Sequence, residues 1–118
     1  LKQKEIRDGS EKRLLQRLKA DIEAYCISGS LCIPIDIKDI SSQGIGFEIL
    51  KQLPIEREIE ILLIPEPDLK VRAKAELRWS IRNGLKWIYG AKFTSMSRED
   101  ASALRNMVHN IFWENFNG

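Results

Sequence analysis

Apolar and polar residues alternate along most of this chain, and the phase of the alternation divides it into strands. Ala20, Ile22, Ala24 and Cys26 alternate with Asp21, Glu23 and Tyr25. Leu31, Ile33, Ile35 and Ile37 then alternate with Cys32, Pro34, Asp36 and Lys38. A period of two sends successive side chains to opposite faces, so these runs predict two strands joined through "SGS". Turning at Ser28-Gly29 keeps both apolar sets on one face, whereas a slip of one residue would put one set in water. That register sets Cys26 opposite Leu31 and, extended, residue 18 opposite Asp39. Pro34 falls on the outer face, an edge or irregular position.

Ile45, Phe47 and Ile49 predict a short third strand, and residues 58–64, "EIEILLI", a fourth. Val71, Ala73, Ala75, Leu77, Trp79 and Ile81 alternate with Arg72, Lys74, Glu76, Arg78, Ser80 and Arg82 over the longest such run. Asn83-Gly84 reads as a two-residue hairpin turn, and Leu85, Trp87, Tyr89, Ala91 and Phe93 alternate on the return. About six antiparallel strands, each with one apolar face, predict a closed or nearly closed β-barrel.

The period then becomes helical. Ser97 is placed as an N-cap, with Glu99 and Asp100 in the first turn. Ala101, Leu104, Val108, Ile111 and Phe112 form an apolar stripe, widened by Met107, Trp113 and Phe116. The expected fold is all-β with a C-terminal helix at about 98–116 that packs on the barrel or covers one end. Residues 1–19 are polar and basic, broken by Asp8-Gly9-Ser10, and read as a flexible or partly helical lead-in to a barrel domain spanning 20–118.

Composition narrows the function more than the fold. With 118 residues, 43% hydrophobic and 31% charged, the chain suits one domain with one modest core. A net charge of +2 is too small for a polycation, so any preference for anions must be local. No apolar run approaches the ~20 residues of a membrane span, and a cytoplasmic location is expected. Two cysteines that do not face each other are expected as reduced thiols. With His109 they fall short of a structural metal site. A single histidine leaves little room for a Ser-His-Asp or Cys-His arrangement, so no catalytic residue is assigned and an enzyme is not expected. The chain starts at Leu1 rather than Met, which suggests a segment of a longer protein.

Two local motifs remain. The first is "KRLLQR", residues 12–17, before the first strand; the second is "DISSQGIG", residues 39–46, after the second. The extended hairpin register brings Arg17 beside Asp39. Arg13 and Arg17 offer planar forks suited to phosphate oxygens or to the O6/N7 edge of guanine. Asp39 can accept from guanine N1–H and N2–H, and Ser41 can donate and accept. Gly44 and Gly46 permit sharp turns and close approach. An anionic guanine nucleotide would satisfy both motifs. A salt bridge from Arg17 to Asp39 on a turn closed by the Ser41 hydroxyl would satisfy them without a ligand. Gly46 and Ser42 read as turn and strand-entry residues.

Arg13-x-x-x-Arg17 before a first strand, followed by Asp39-x-Ser41-x-x-Gly44, is similar to the signature of the PilZ domain family. "W…YGAKF", residues 87–93, resembles that family's late-strand Gly-x-x-Phe pattern. The resemblance implies a six-stranded antiparallel β-barrel and a bacterial receptor for cyclic di-GMP, with no cofactor beyond that ligand. It implies that Arg13 and Arg17 grip phosphates and guanine faces, that Asp39 and Ser41 hydrogen-bond a guanine, and that Gly44 permits the tight loop. Lys12 occupies a position the family uses variably, a possible secondary ligand contact. Ordering of the lead-in over ligand would switch an attached domain or a protein partner, with motility and exopolysaccharide synthesis (biofilm) among the family's outputs. A PilZ-like scaffold that binds proteins without nucleotide is the alternative. Nucleic-acid binding is not expected, because Trp79, Trp87 and Phe93 fall on the inner phase, leaving the basic outer face of the long strand without aromatics to stack bases.

Overall fold

The computed structural model describes residues 22–55 and 57–117. Seven strands and one helix follow in order among them: β1 (Glu23–Ser28), β2 (Leu31–Pro34), β3 (Asp36–Ile40), β4 (Gly44–Ile49), β5 (Glu58–Glu66), β6 (Leu69–Asn83), β7 (Lys86–Ser95) and α1 (Arg98–Asn117). The lead-in, with Lys12, Arg13 and Arg17, lies outside the described residues.

All seven strands join one antiparallel sheet in the order β2-β1-β5-β6-β7-β4-β3. Its two edge strands, β2 and β3, are separated in the chain only by Ile35. The sheet therefore curls until its edges approach, which gives the expected barrel-like architecture. The strands number seven rather than six because the run expected as one strand breaks at Pro34. Proline has no N–H for a ladder. Ile35 still donates to the Ala24 carbonyl at 3.0 Å, but from Asp36 onward the chain pairs with β4.

Both hairpin turns sit one residue later than the sequence pattern suggested. Ser28 pairs with Leu31 and Cys26 with Ile33, so the first turn is Gly29-Ser30. Asn83 pairs with Lys86, so the second is Gly84-Leu85. In each, the glycine takes the first turn position with a positive φ, +63° at Gly29 and +66° at Gly84, as the primed turns of tight hairpins require. Moving a turn by one residue shifts the pairing by two. The same side chains stay on the same face, so alternation alone cannot tell the registers apart. The register extension that set residue 18 opposite Asp39 does not hold, because Asp39 belongs to β3 and pairs with Gly46 of β4; Arg17 itself lies outside the described residues.

The core fills the inside of the curl. Ile61, Leu63, Val71, Leu77, Phe47 and Tyr89 are fully buried there. Ser97 caps α1 as expected, its Oγ accepting from Asp100 N–H at 3.0 Å and donating to the Asp100 carboxylate at 2.9 Å. The helix lays Leu104, Met107 and Ile111 into the core and contacts β6. Trp113, expected to widen that stripe, is half exposed, with its ring edge-on to His109. Leu31 is likewise exposed, at the hairpin end of edge strand β2. Cys26 is buried and Cys32 exposed, both as free thiols.

Candidate functional site

The stretch 39–46 forms the end of β3, a tight turn and the start of β4. Ser41 N–H donates to Gly44 O at 2.9 Å. The Ser41 hydroxyl accepts from Gln43 N–H at 3.1 Å and Gly44 N–H at 3.3 Å. These bonds are the hydroxyl-closed turn that the sequence allowed as a ligand-free role for Ser41. They also set its remaining chemistry. Both hydroxyl lone pairs are engaged, so Ser41 Oγ faces solvent as a donor. Gln43 O accepts from Phe93 N–H at 2.9 Å, which ties the turn to β7. A Cβ on Gly44 would lie 2.6 Å from Ala91 O. Gly44 therefore lacks a side chain because β7 is close, whatever lies on its open side.

Two β-bulges build the rest of the site. On β3 the register shifts between Ile37 and Asp39; on β6 it shifts between Leu77 and Trp79. An extra residue reverses the phase of the strand beyond it. Ile37 and Leu77 point inward, and by strict alternation Asp39 and Trp79 would too. The bulges, at Lys38 and Arg78, turn both outward, and the one on β3 brings Ile40 into the core. The expected inner position of Trp79 is corrected accordingly: it is 48% exposed. Ile81, two residues on, is exposed for the same reason.

These side chains meet in one row across four strands. Asp39 pairs with Gly46, Gly46 with Gly90, and Gly90 with Trp79. A carboxylate stands at one end of the row, an indole at the other, with two glycines between. The glycines are buried although they face outward, because the flanking side chains lie over them. A Cβ on Gly46 would collide with Asp39 Oδ1, and one on Gly90 with the Trp79 indole, whose Cζ2 would be 2.6 Å away. An open cavity of about 320 Å³ covers this row, reaching Ser41 and Gln43 on one side and Arg78 and Lys92 on the other.

One strand step from the row lies Glu48, a buried carboxylate on the outer side of β4. Its Oε2 accepts from Asn83 Nδ2 at 2.8 Å. Its Oε1 lies 3.4 Å from Lys38 Nζ and 3.9 Å from Lys86 Nζ. The Asn83 hydrogen bond, then the Lys38 and Lys86 ammonium groups, outweigh burial and hold the Glu48 carboxyl below its ordinary pKa. The cluster braces β4 against both the β3 bulge and the β6–β7 hairpin.

Of the residues singled out in the sequence, the structure brings together Asp39, Ser41 and Gly44. Sequence reasoning missed Trp79, Arg78 and Gly90, and undervalued Gly46. The Gly-x-x-Phe pattern marked Gly90 without giving it a task, and nothing in the alternation around Trp79 signals the bulge.

The PilZ domain profile matches residues 10–110, from the lead-in to the helix. The chain belongs to the PilZ domain family. Among solved structures, the Bacillus subtilis inhibitor of motility MotI/DgrA superposes with a TM-score of 0.69 at 14% identity, over 81% of this chain and 49% of its own. Klebsiella pneumoniae MrkH gives 0.67 at 15% identity over 81% and 47%. The chain thus spans about half the length of both. The PilZ domain of Escherichia coli YcgR, solved with c-di-GMP, gives 0.58 at 13% identity over 78% of this chain and 83% of that one. At such identities the likeness is one of fold. No curated protein matches the sequence.

Proposed function

We infer that this PilZ domain is a receptor for cyclic di-GMP, and that the Asp39–Gly46–Gly90–Trp79 row is where one guanine rests. The observation that carries the reading is the row itself, a carboxylate and an exposed indole held across a side-chain-free floor. Guanine offers adjacent N1–H and N2–H donors to a carboxylate, and a flat face to an aromatic ring. Ser41, whose lone pairs are occupied, donates to a guanine acceptor or a phosphate oxygen. Arg13 and Arg17, outside the described residues, supply the phosphate clamps by the family's pattern, with Lys12 as a secondary contact. YcgR and Borreliella burgdorferi PlzA were both solved with c-di-GMP, which supports the choice of nucleotide.

On this reading the domain is a binding module rather than an enzyme. Ligand folds the N-terminal arginine segment over the row and so re-poses an attached domain or a protein partner. It works where cyclic di-GMP is made, in the bacterial cytoplasm, with motility or polysaccharide output. Among the described residues no helix is long and apolar enough to cross a membrane. Titration calorimetry with cyclic di-GMP tests the reading. Each charge-assisted contact contributes about 1.5–3 kcal/mol, so Arg17→Ala and Asp39→Ala should each weaken binding by about 10- to 150-fold. No heat at ~100 μM ligand, an affinity limit of some 5–6 kcal/mol, would sink it. A partner captured equally with and without nucleotide would favour the scaffold alternative. The outward Trp79 removes one argument against single-stranded nucleic acid. However, Arg72 is paired with Glu60 and Arg78 with Glu76, and oligonucleotide binding at ~150 mM salt should be negligible.

A further inference from the structure

We propose that Gly90 is a positioning residue for ligand, acting through Trp79. This rests on the cyclic di-GMP reading of the row and assigns a task to a glycine that the fold does not otherwise need. Gly90 has no positive φ, so its backbone conformation is open to any residue. It pairs on both sides, in regular antiparallel register with Gly46 of β4 and, just beyond the β6 bulge, with Trp79. What sets it apart is the space above its Cα. That space is taken by the Trp79 indole, with Cε2, Nε1 and Cζ2 the nearest atoms to the place a Cβ would occupy. The ring lies across buried Gly90, while the ring itself keeps 48% of its surface in solvent.

The geometry separates position from stability. A methyl group at Gly90 would push against an exposed side chain, not against backbone or core. The indole can swing off the sheet with little cost to the fold. In doing so it would leave its place in the row with Gly46 and Asp39 and could no longer stack a base that Asp39 holds by its edge. The bulge at Arg78 turns Trp79 outward, and Gly90 then lets it lie down towards Asp39. Two local devices on neighbouring strands thus set the spacing between the carboxylate and the stacking face.

A double-mutant cycle of Gly90→Ala, Trp79→Ala and the pair, read by calorimetry with cyclic di-GMP, tests this. Stacking on an aromatic ring contributes about 1–3 kcal/mol per base, so Gly90→Ala should weaken binding by roughly 5- to 150-fold in the wild-type background. In the Trp79→Ala background it should have no effect, because the ring it displaces is gone. An equal loss in both backgrounds, or no loss in either, overturns the proposal. Should Gly90→Ala not fold alone, the double variant is compared with Trp79→Ala: equal affinities support the proposal and unequal ones overturn it. A readout without ligand keeps the proposal apart from the functional reading. In fluorotryptophan-labelled protein, the fluorine resonance that disappears in Trp79→Phe should move towards the free-indole position in Gly90→Ala, the other two tryptophans staying in place. An unmoved resonance refutes the positioning role even if the ligand binds. A moved resonance in a protein that binds no cyclic di-GMP supports the contact and refutes the functional reading instead.

Discussion

Removing a single oxygen from Tyr89 should separate the stability of the barrel from the ligand binding proposed for its outer wall. The Tyr89 ring is fully buried, stacked 5.8 Å from Phe47, and its hydroxyl reaches the 50–55 segment. There it donates to Leu53 O at 2.7 Å and accepts from Leu53 N–H. Leu53 is itself buried, so Tyr89→Phe strands a backbone donor and a backbone acceptor away from water while the ring packing survives. Each unsatisfied buried group costs about 1–3 kcal/mol. Partial relaxation of the segment towards solvent, aided by exposed Leu50 and Ile55 on either side, brings the expected total to about 2–4 kcal/mol. Urea unfolding should show this as a lower midpoint with an unchanged slope, since the surface exposed on unfolding is nearly the same. Tyr89 points inward and Gly90, the next residue, outward, so cyclic di-GMP affinity well below the unfolding midpoint should change less than about twofold. A stability loss under about 0.5 kcal/mol would refute the role given to the hydroxyl. A large affinity loss in the folded variant would refute the separation of the two faces.

Three further outcomes are expected. Gly46→Ala should displace the Asp39 carboxylate, because the new methyl carbon would collide with Oδ1 and lie 3.3 Å from Cγ. Calorimetry should show a loss of about 10-fold or more that never exceeds the loss in Asp39→Ala, since the glycine acts through that carboxylate. Burial pushes the Cys26 thiol up to about 11. A pKa raised in the folded state means that the neutral form is favoured by folding. The stability it contributes is complete below the unfolded thiol's value and lost as pH climbs through the folded one. Denaturation between pH ~8.5 and ~11 should lose about 2–3 kcal/mol more in wild type than in Cys26→Val. Glu48, held low first by Asn83, has the opposite sign: its contribution is complete above the ordinary carboxylate range and lost as pH falls through its depressed value. Carbon NMR titration should show Asn83→Ala raising the Glu48 pKa, with acid unfolding beginning at higher pH than in wild type.

Much of this architecture can be read from alternation. The long β6–β7 hairpin, the capped helix and the inward set from Val71 to Leu77 fall where period two and period 3.6 put them. What alternation cannot reach is whatever leaves the period unchanged or breaks it within one strand. Both hairpin turns lie one residue late, and a pairing shift of two is invisible to a pattern with period two. Pro34 looked like an irregular position inside one strand. Its larger effect, handing the chain from β1 to β4, depends on the sheet curling so that its two edges meet. The site was half legible for the same reason. Asp39, Ser41 and Gly44 lie within eight consecutive residues and carry a recognisable spacing. Trp79 lies 40 positions from Asp39, inside the most regular apolar run of the chain, and only a bulge takes it out of the core.

The bulges also explain how a small barrel can carry a site without losing its core. Moving a whole strand by one residue to expose Trp79 would drag Val71, Ala73, Ala75 and Leu77 into water with it. Placing one extra residue at Arg78 reverses the phase only beyond that point, where β6 runs out towards the hairpin and the core no longer depends on it. The reversal has a second product. It turns Asn83 to the outer face, where it meets Glu48 at 2.8 Å. The residue that stiffens the wall beside the floor is thus aimed by the same bulge that aims the indole. On β3 the extra residue is Lys38, which itself reaches Glu48 at 3.4 Å, and beyond it Asp39 faces out while Ile40 returns to the core. The two bulges therefore share a brace, and the carboxylate and the indole are set by one connected network across β3, β4, β6 and β7. A change at Glu48 should accordingly disturb both ends of the row at once.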